Sequence, residues 1–357
     1  MRTEVEYLEQ YILDEDLLAA EQLAEFRRQA GEERLEALAA LFRWNRALSV
    51  YQRDLIKQGR TRDLFYGDHI VLAETGHGSQ AVVLEGYHCG LRRRHALKVL
   101  KSKLFEEIRE ERGPVELDRT VQRFRRGAQA AALLCHDNIV RTYDFRKHQD
   151  TFYVVAEFIE GRNLQQIAEL TRGIPVEDAV DYVMQAARGL EYAHAQGVIH
   201  RDVKPANLLL EEDRRLVKIT DFGLARILGD SGPQSSTRFA TREGETFGTP
   251  AFLSPEQAND TRSADGRSDV YSLGCTFFTL VAGRLMYDVR GVVLMLLAHE
   301  REPIPPLEAN QGEVPPRLNA VFRKMVAKRP EQRFQSMEEV AEALREFQRP
   351  QKVSAVA

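Results

Sequence analysis

From Gly67 to Ala156 the apolar residues arrive in short runs separated by turn signals, whereas from Val176 to Phe347 they recur at helical spacing. That change of period, from strand to helix, most narrows what this chain can fold into. Residues 70–72, 81–84, 96–100 and 153–156 predict strands of a small sheet. Residues 176–195 open the helical half. Strands followed by helices argue for an α+β arrangement in two lobes with a cleft between them.

Ahead of the strands, residues 1–65 carry helical patterns with hardly any strand signal: Leu35, Leu38, Leu41 and Phe42, then Leu48, Tyr51 and Leu55. Ser49 followed by Gln52 predicts a capping box, and Gly59 after Lys57 predicts a helix stop. Acidic residues dominate the first 25 positions and arginines the following 35. A solvated face explains this, and a docking surface for a partner is the alternative. Between Lys101 and Thr120 the sequence predicts a charged helical insert stopped by Gly113-Pro114.

The longest uncharged apolar stretch, residues 270–283, is interrupted by Ser and Thr. A bilayer span needs about 20 apolar residues, so this reads as a buried core helix. Glu4, Glu6 and Glu9 stand where a signal peptide would need a basic start and an apolar run. Cys89, Cys135 and Cys275 lie far apart, which suggests neither a zinc site nor a disulfide framework and fits a reducing cytoplasm. A net charge of −4 argues against a dedicated nucleic-acid or anionic-membrane binder. At 43% hydrophobic and 29% charged, the composition is that of a globular protein.

Gly76 and Gly78 lie between two predicted strands, and Lys98 follows on the next. Glycines permit a tight turn whose amides approach phosphate oxygens, and a strand-borne lysine can hold those phosphates. Further on stand His200-Arg201-Asp202-Val203-Lys204-Pro205-Ala206-Asn207, then Asp221-Phe222-Gly223 fourteen residues after Asn207. Gly248-Thr249-Pro250, Ser254-Pro255-Glu256 and Asp269-Val270-Tyr271-Ser272-Leu273-Gly274 follow.

With these motifs, about residues 68–347 resemble the protein kinase family. Lys204-Pro205 resembles its serine/threonine branch, and the runs around Ser254 and Asp269 look like the eukaryotic-like kinases of bacteria. The helical extension running through Gln58 to Arg62 is similar to that of some planctomycete kinases. The resemblance implies a two-lobed kinase fold, a small β-sheet lobe with one main helix and a large, mostly helical lobe. It divides the chain into a helical N-terminal accessory module at 1–65 and a kinase domain at 66–347 (lobes 66–160 and 161–347), with a tail at 348–357.

It also implies serine/threonine kinase activity on protein substrates, with ATP and Mg²⁺ as cofactors in the cytoplasm. Phosphoryl transfer relies on positioning and charge stabilisation. Asp202 matches the catalytic base, Lys204 the residue that neutralises the γ-phosphate, and Lys98 the ligand of the α- and β-phosphates. Val83, Ala96 and Leu209 match the positions that sandwich adenine; Glu157 and Ile159 match the hinge; Gly76 and Gly78 match the phosphate loop. Asn207 and Asp221 match the metal ligands, and hard oxygen donors suit Mg²⁺. Arg201 beside the base implies switching by activation-segment autophosphorylation, for which Thr241 and Thr246 are the leading acceptors. Glu256 and Arg333 match a buried ion pair, Asp269 the acid that holds the catalytic loop, and His200 and Phe222 bracing residues.

Two positions depart from the family pattern. The third phosphate-loop glycine is Ala81, a mild change. The helix glutamate that pairs with the strand lysine in bacterial relatives is Gly127, and Glu116 lies eleven residues upstream, roughly 16 Å along a helix. An active kinase is therefore one reading, and a pseudokinase or weakly active nucleotide-binding scaffold is the alternative.

Overall fold

A computed structural model describes residues 3–45, 47–78, 80–222, 250–259 and 264–348. The chain divides into two compact units, Met1–Leu117 with Tyr143–Phe158, and Asp118–Thr142 with Ile159–Ala357.

The first unit begins with four helices: α1 (Glu4–Asp14), α2 (Ala20–Ala30), α3 (Glu32–Asn45) and α4 (Val50–Lys57). Thr3 and Ser49 start α1 and α4 with reciprocal capping boxes through Glu6 and Gln52, and Gly59 takes a φ of 68° just after α4. The strands are β1 (Phe65–Tyr66), β2 (His69–His77), β3 (Ala81–His88) and β4 (Arg93–Leu100). Helix α5 (Ser102–Arg112) comes next, then α6 (Pro114–Ala132), which passes into the second unit from Asp118, and the first unit resumes with β5 (Thr142–His148) and β6 (Thr151–Glu157). The sheet order is β1-β2-β3-β4-β6-β5.

The helical insert is α5 alone. Gly113, at φ 79°, ends it, and Pro114 begins α6, where its missing N–H is not needed. Residues 114–120 therefore belong to α6, which runs on past Gly127.

The N-terminal helices and the sheet share one core. Leu8, Ile12, Phe26, Leu38, Leu55 and Ile56 cluster with Phe65 and Ile70. The register of β2 against β3 shifts between Val71 and Ala73, a bulge at Leu72. Side chains of the α4 cap reach the carbonyls there: Gln52 Nε2 donates to Val71 O at 2.8 Å and Ser49 Oγ to Leu72 O at 2.5 Å.

The second unit holds a small sheet of β7 (Gly161–Asn163), β8 (Leu208–Glu211) and β9 (Leu216–Ile219). Its helices are α7 (Leu164–Thr171), α8 (Val176–Ala195), α9 (Pro255–Asn259), α10 (Gly266–Ala282), α11 (Val292–Arg301), α12 (Pro316–Met325) and α13 (Met337–Leu344). Helix α10 is buried along nearly its whole length. At Gly274 a Cβ would lie 2.5 Å from Val326 Cγ1, so glycine lets α10 approach the end of α12. Among the described residues no helix is long and apolar enough to cross a membrane.

Candidate active site

In the first unit, the sheet register gathers the residues expected to meet ATP. Val83 pairs with Lys98, Lys98 with Val154, and Ala96 with Ala156. Opposed residues project to the same side of a sheet, so Val83, Ala96, Lys98 and Ala156 share one face. Leu84, Leu97, Val99, Tyr153 and Val155 fill the core on the other. Gly76 pairs with Val83, and Gly78 N–H donates to Ala81 O at 2.9 Å, closing the turn tightly. A Cβ on Gly78 would stand 3.2 Å from that carbonyl. Glu157 ends β6, while Ile159 opens the second unit's portion of the chain.

In the second unit a single acid orders the loop after α8. Asp269, fully buried on α10, accepts the backbone N–H of His200 at 2.9 Å and of Arg201 at 2.7 Å. His194 Nε2, in the last turn of α8, lies 2.7 Å from the same carboxylate. Burial alone would raise the Asp269 carboxyl, but the His194 hydrogen bond and charge, with those of His200, hold it below the usual range. Arg201 adopts φ 66°, and Gln257 Nε2 donates to its carbonyl at 3.1 Å. A non-glycine residue in that region is held by its surroundings; here Asp269 takes the N–H and Gln257 the carbonyl.

The loop then delivers its side chains. Lys204 Nζ reaches Asp202 Oδ2 at 2.8 Å and Oδ1 at 3.1 Å. Asn207 Nδ2 donates to Asp202 O at 2.8 Å and to Oδ2 at 3.0 Å. With its amide hydrogens committed, Asn207 presents its amide oxygen as an acceptor. The Asp202 side chain remains 33% exposed, open to an incoming group. Thr220 O meets His200 Nε2 at 2.9 Å, and the next residue, Asp221, takes φ 70° and accepts from Thr220 Oγ1. Phe222 packs edge-on to His200 with centroids 4.7 Å apart. Leu209, between buried Leu208 and Leu210 on β8, is half-buried.

Residues 70–344 match the sequence pattern of the protein kinase domain. The chain belongs to the protein kinase family. Its fold class is the two-lobed kinase fold. A probable serine/threonine-protein kinase of Clostridium acetobutylicum is 32% identical over 272 residues, which is 76% of this chain and 38% of the relative. Serine/threonine-protein kinase PknB of Mycobacterium leprae is 39% identical over 223 residues, 61% of this chain and 34% of its own. PknB of Mycobacterium tuberculosis is 38% identical over the same length. The chain thus spans 34–38% of the length of these curated relatives.

Two kinase features visible in the sequence are joined in the second unit. Glu256 and Arg333 form a two-pronged pair at 2.7 and 2.8 Å, and Ser268 Oγ donates to Glu256 at 2.7 Å. Asp269 holds the loop that carries Asp202. Three supports carried no sequence signal: His194 on Asp269, Gln257 on Arg201, and Thr220 on His200. Thr241 and Thr246 lie outside the described residues.

Proposed function

We propose that this chain is an ATP-dependent serine/threonine protein kinase. The constellation that carries the reading is Asp202 bonded to both Lys204 and Asn207 on a loop tied down by Asp269. Asp202 takes the proton of a serine or threonine hydroxyl, whose oxygen forms a bond to the γ-phosphorus as the bond to ADP breaks. Lys204 balances charge on the transferring phosphoryl group, and Lys98 holds the α- and β-phosphates. Val83, Ala96 and Leu209 enclose adenine, with Glu157 and Ile159 as the hinge and Gly76 and Gly78 as the phosphate loop.

The donor set fits a hard cation: a carboxylate at Asp221 and the amide oxygen of Asn207 suit Mg²⁺. Bound there, Mg²⁺ would supply charge neutralisation for the phosphates.

Activation-segment autophosphorylation at Thr241 or Thr246 belongs to the same reading. Arg201 Nε is buried with no hydrogen-bond partner among the described residues, as suits a guanidinium awaiting a phosphate. Residues 1–65 serve as an accessory module that takes no part in phosphotransfer and offers a docking surface, residues 66–347 form the kinase domain, and the setting is cytoplasmic.

The test is mass spectrometry after incubation with Mg²⁺-ATP, wild type against Asp202→Asn. Phosphate on serine or threonine in the wild type alone supports the proposal. An unmodified wild type that also fails to phosphorylate a generic protein substrate rejects it.

A further inference from the structure

Away from the kinase motifs, the first unit contains a cavity of about 330 Å³ lined by Arg28, Gln29, Arg34, Arg62, Phe65, His148 and Gln149. Three of these seven residues are arginines and none is an acid. The elements that bring them together are remote in sequence. Arg28 and Gln29 end α2, Arg34 is in the first turn of α3, Arg62 precedes β1, and His148-Gln149 turn from β5 into β6.

The acids nearby are already engaged. Glu25 pairs with Arg28 at 2.6 Å, and Asp63 pairs with Arg60 at 2.8 Å. Arg34 and Arg62 have no carboxylate within 4.0 Å among the described residues. Arg34 instead stands 5.9 Å above the Phe65 ring. The uncharged side of the cavity is fixed. Gln29 accepts from Thr61 Oγ1 and donates to Glu25. The His148 ring packs 4.5 Å from Tyr66 and lies 2.9 Å from Gln149 Nε2. Burial, then the Arg34 charge, hold His148 below its ordinary range, so the imidazole adds no further cation near neutral pH.

Like charges converging on one hollow repel each other unless an anion joins them. With Arg28 already paired to Glu25, two charges remain unmatched; guanidinium forks match phosphate oxygens two at a time, and a dianion offsets both Arg34 and Arg62. The cavity exceeds what a bare phosphate fills and sits at the small end of ligand sites. We propose that this cavity binds a phosphate monoester with a small organic body, its phosphate held between Arg34 and Arg62 and its body along Gln29 and His148. The phosphate can belong to a free metabolite or to a phosphorylated side chain of another protein; the chemistry of capture is the same.

The experiment is calorimetric titration of the full chain with an ATP analogue already saturating the nucleotide site. The probes are O-phospho-L-serine, inorganic phosphate and a short phosphoserine peptide. We expect one saturable site for a phosphorylated probe. Binding should weaken about tenfold in Arg34→Gln and in Arg62→Gln, the loss of one charge-assisted contact. Arg62→Lys, which keeps charge without the fork, should fall between. Arg43→Gln, which removes an arginine paired with Glu4 outside the cavity, should change nothing. Equal melting temperatures exclude misfolding of the variants. Binding of free phosphoserine assigns a metabolite, binding of the peptide alone assigns a protein, and either upholds the site. No binding by any probe, binding of inorganic phosphate alone, or binding indifferent to Arg34 and Arg62 overturns it.

Discussion

Arg333 places all five of its N–H donors: two on Glu256, at 2.7 and 2.8 Å, and three on the carbonyls of Ala327, Arg267 and Lys328. The guanidinium is completely buried and lies over the Tyr271 ring at 4.8 Å. One side chain therefore ties the segment around α9 to α10 and to the turn after α12.

Removing it should be severe. Arg333→Met leaves the Glu256 carboxylate buried opposite an alkyl chain, at a cost of about 3–5 kcal/mol. The double variant with Glu256→Gln should be milder than the single one. Urea unfolding of the three variants decides, and a double variant worse than Arg333→Met contradicts the pairing argument.

Asp269→Asn keeps one acceptor oxygen for the amides of His200 and Arg201 and exchanges the other for a donor. The loop carrying Asp202 should loosen, and kcat should fall about 10- to 150-fold, the equivalent of a 1.5–3 kcal/mol charge-assisted contact. The KM for ATP should stay within a few-fold. A kcat that holds while KM rises would assign Asp269 to binding instead.

At Gly127 the resemblance to bacterial kinases implies a glutamate, and glycine within α6 costs about 1 kcal/mol relative to alanine. Gly127→Glu should firm the helix and raise kcat more than it lowers KM, because the gain lies in positioning. Steady-state rates of the two forms test this, and an unchanged kcat rejects it.

His69 and His95 are buried at the start of β2 and within β4, with His69 Nε2 2.8 Å from His95 Nδ1. Burial and neighbouring positive groups push both down to about 4: His88 for both, with Arg146 for His69 and Arg93 for His95. The unfolded chain takes up protons near pH 6.5, whereas the fold resists until about pH 4. Stability from this pair is full above pH 6.5 and declines as pH falls toward 4. Discounted for solvent screening, each pH unit costs roughly 1 kcal/mol. Melting curves between pH 7 and 4 should show the decline, and His69→Gln should flatten it. An equal slope in that variant assigns the loss elsewhere.

Ala156 shares its sheet face with Ala96 and Lys98 and ends in a single methyl group. Ala156→Met should weaken a purine inhibitor carrying a large substituent by about 1–3 kcal/mol through steric exclusion. ATP affinity should persist. Equal binding of bulky and plain analogues to the parent chain would reject the idea.

The elements that sequence made legible are those whose side chains report their own surroundings. The Ser49–Gln52 capping box and residues 81–84 and 96–100 sit in regular local patterns, and β2, β3, β4 and β6 form over or beyond the predicted runs. Strand β5 escaped because Thr142–His148 holds three charged residues and none that is fully buried; its partner β6 defines it, not its own composition. Within the second unit, Asp202, Lys204 and Asn207 are close in sequence, so their mutual bonding follows from a short loop. The bonds that fix that loop span far more chain. Asp269 lies 75 residues from His194, and Gln257 lies 56 from Arg201, separations at which no local pattern operates.

The grip of Ser49 and Gln52 on the carbonyls of Leu72 and Val71 has a consequence for the edge of the sheet. A strand edge with unpaired carbonyls is a template for another chain, and β1 covers only the first residues of β2. Helix α4 occupies the stretch that β1 leaves open, at the bulge. The sequence shared with other kinases begins at residue 70, beyond the helix. Excising the chain there would bare the edge together with the apolar surface of Ile70, and the fragment should self-associate through its sheet. The helical extension thus fills, permanently and in cis, a place that a second copy of the chain would otherwise take.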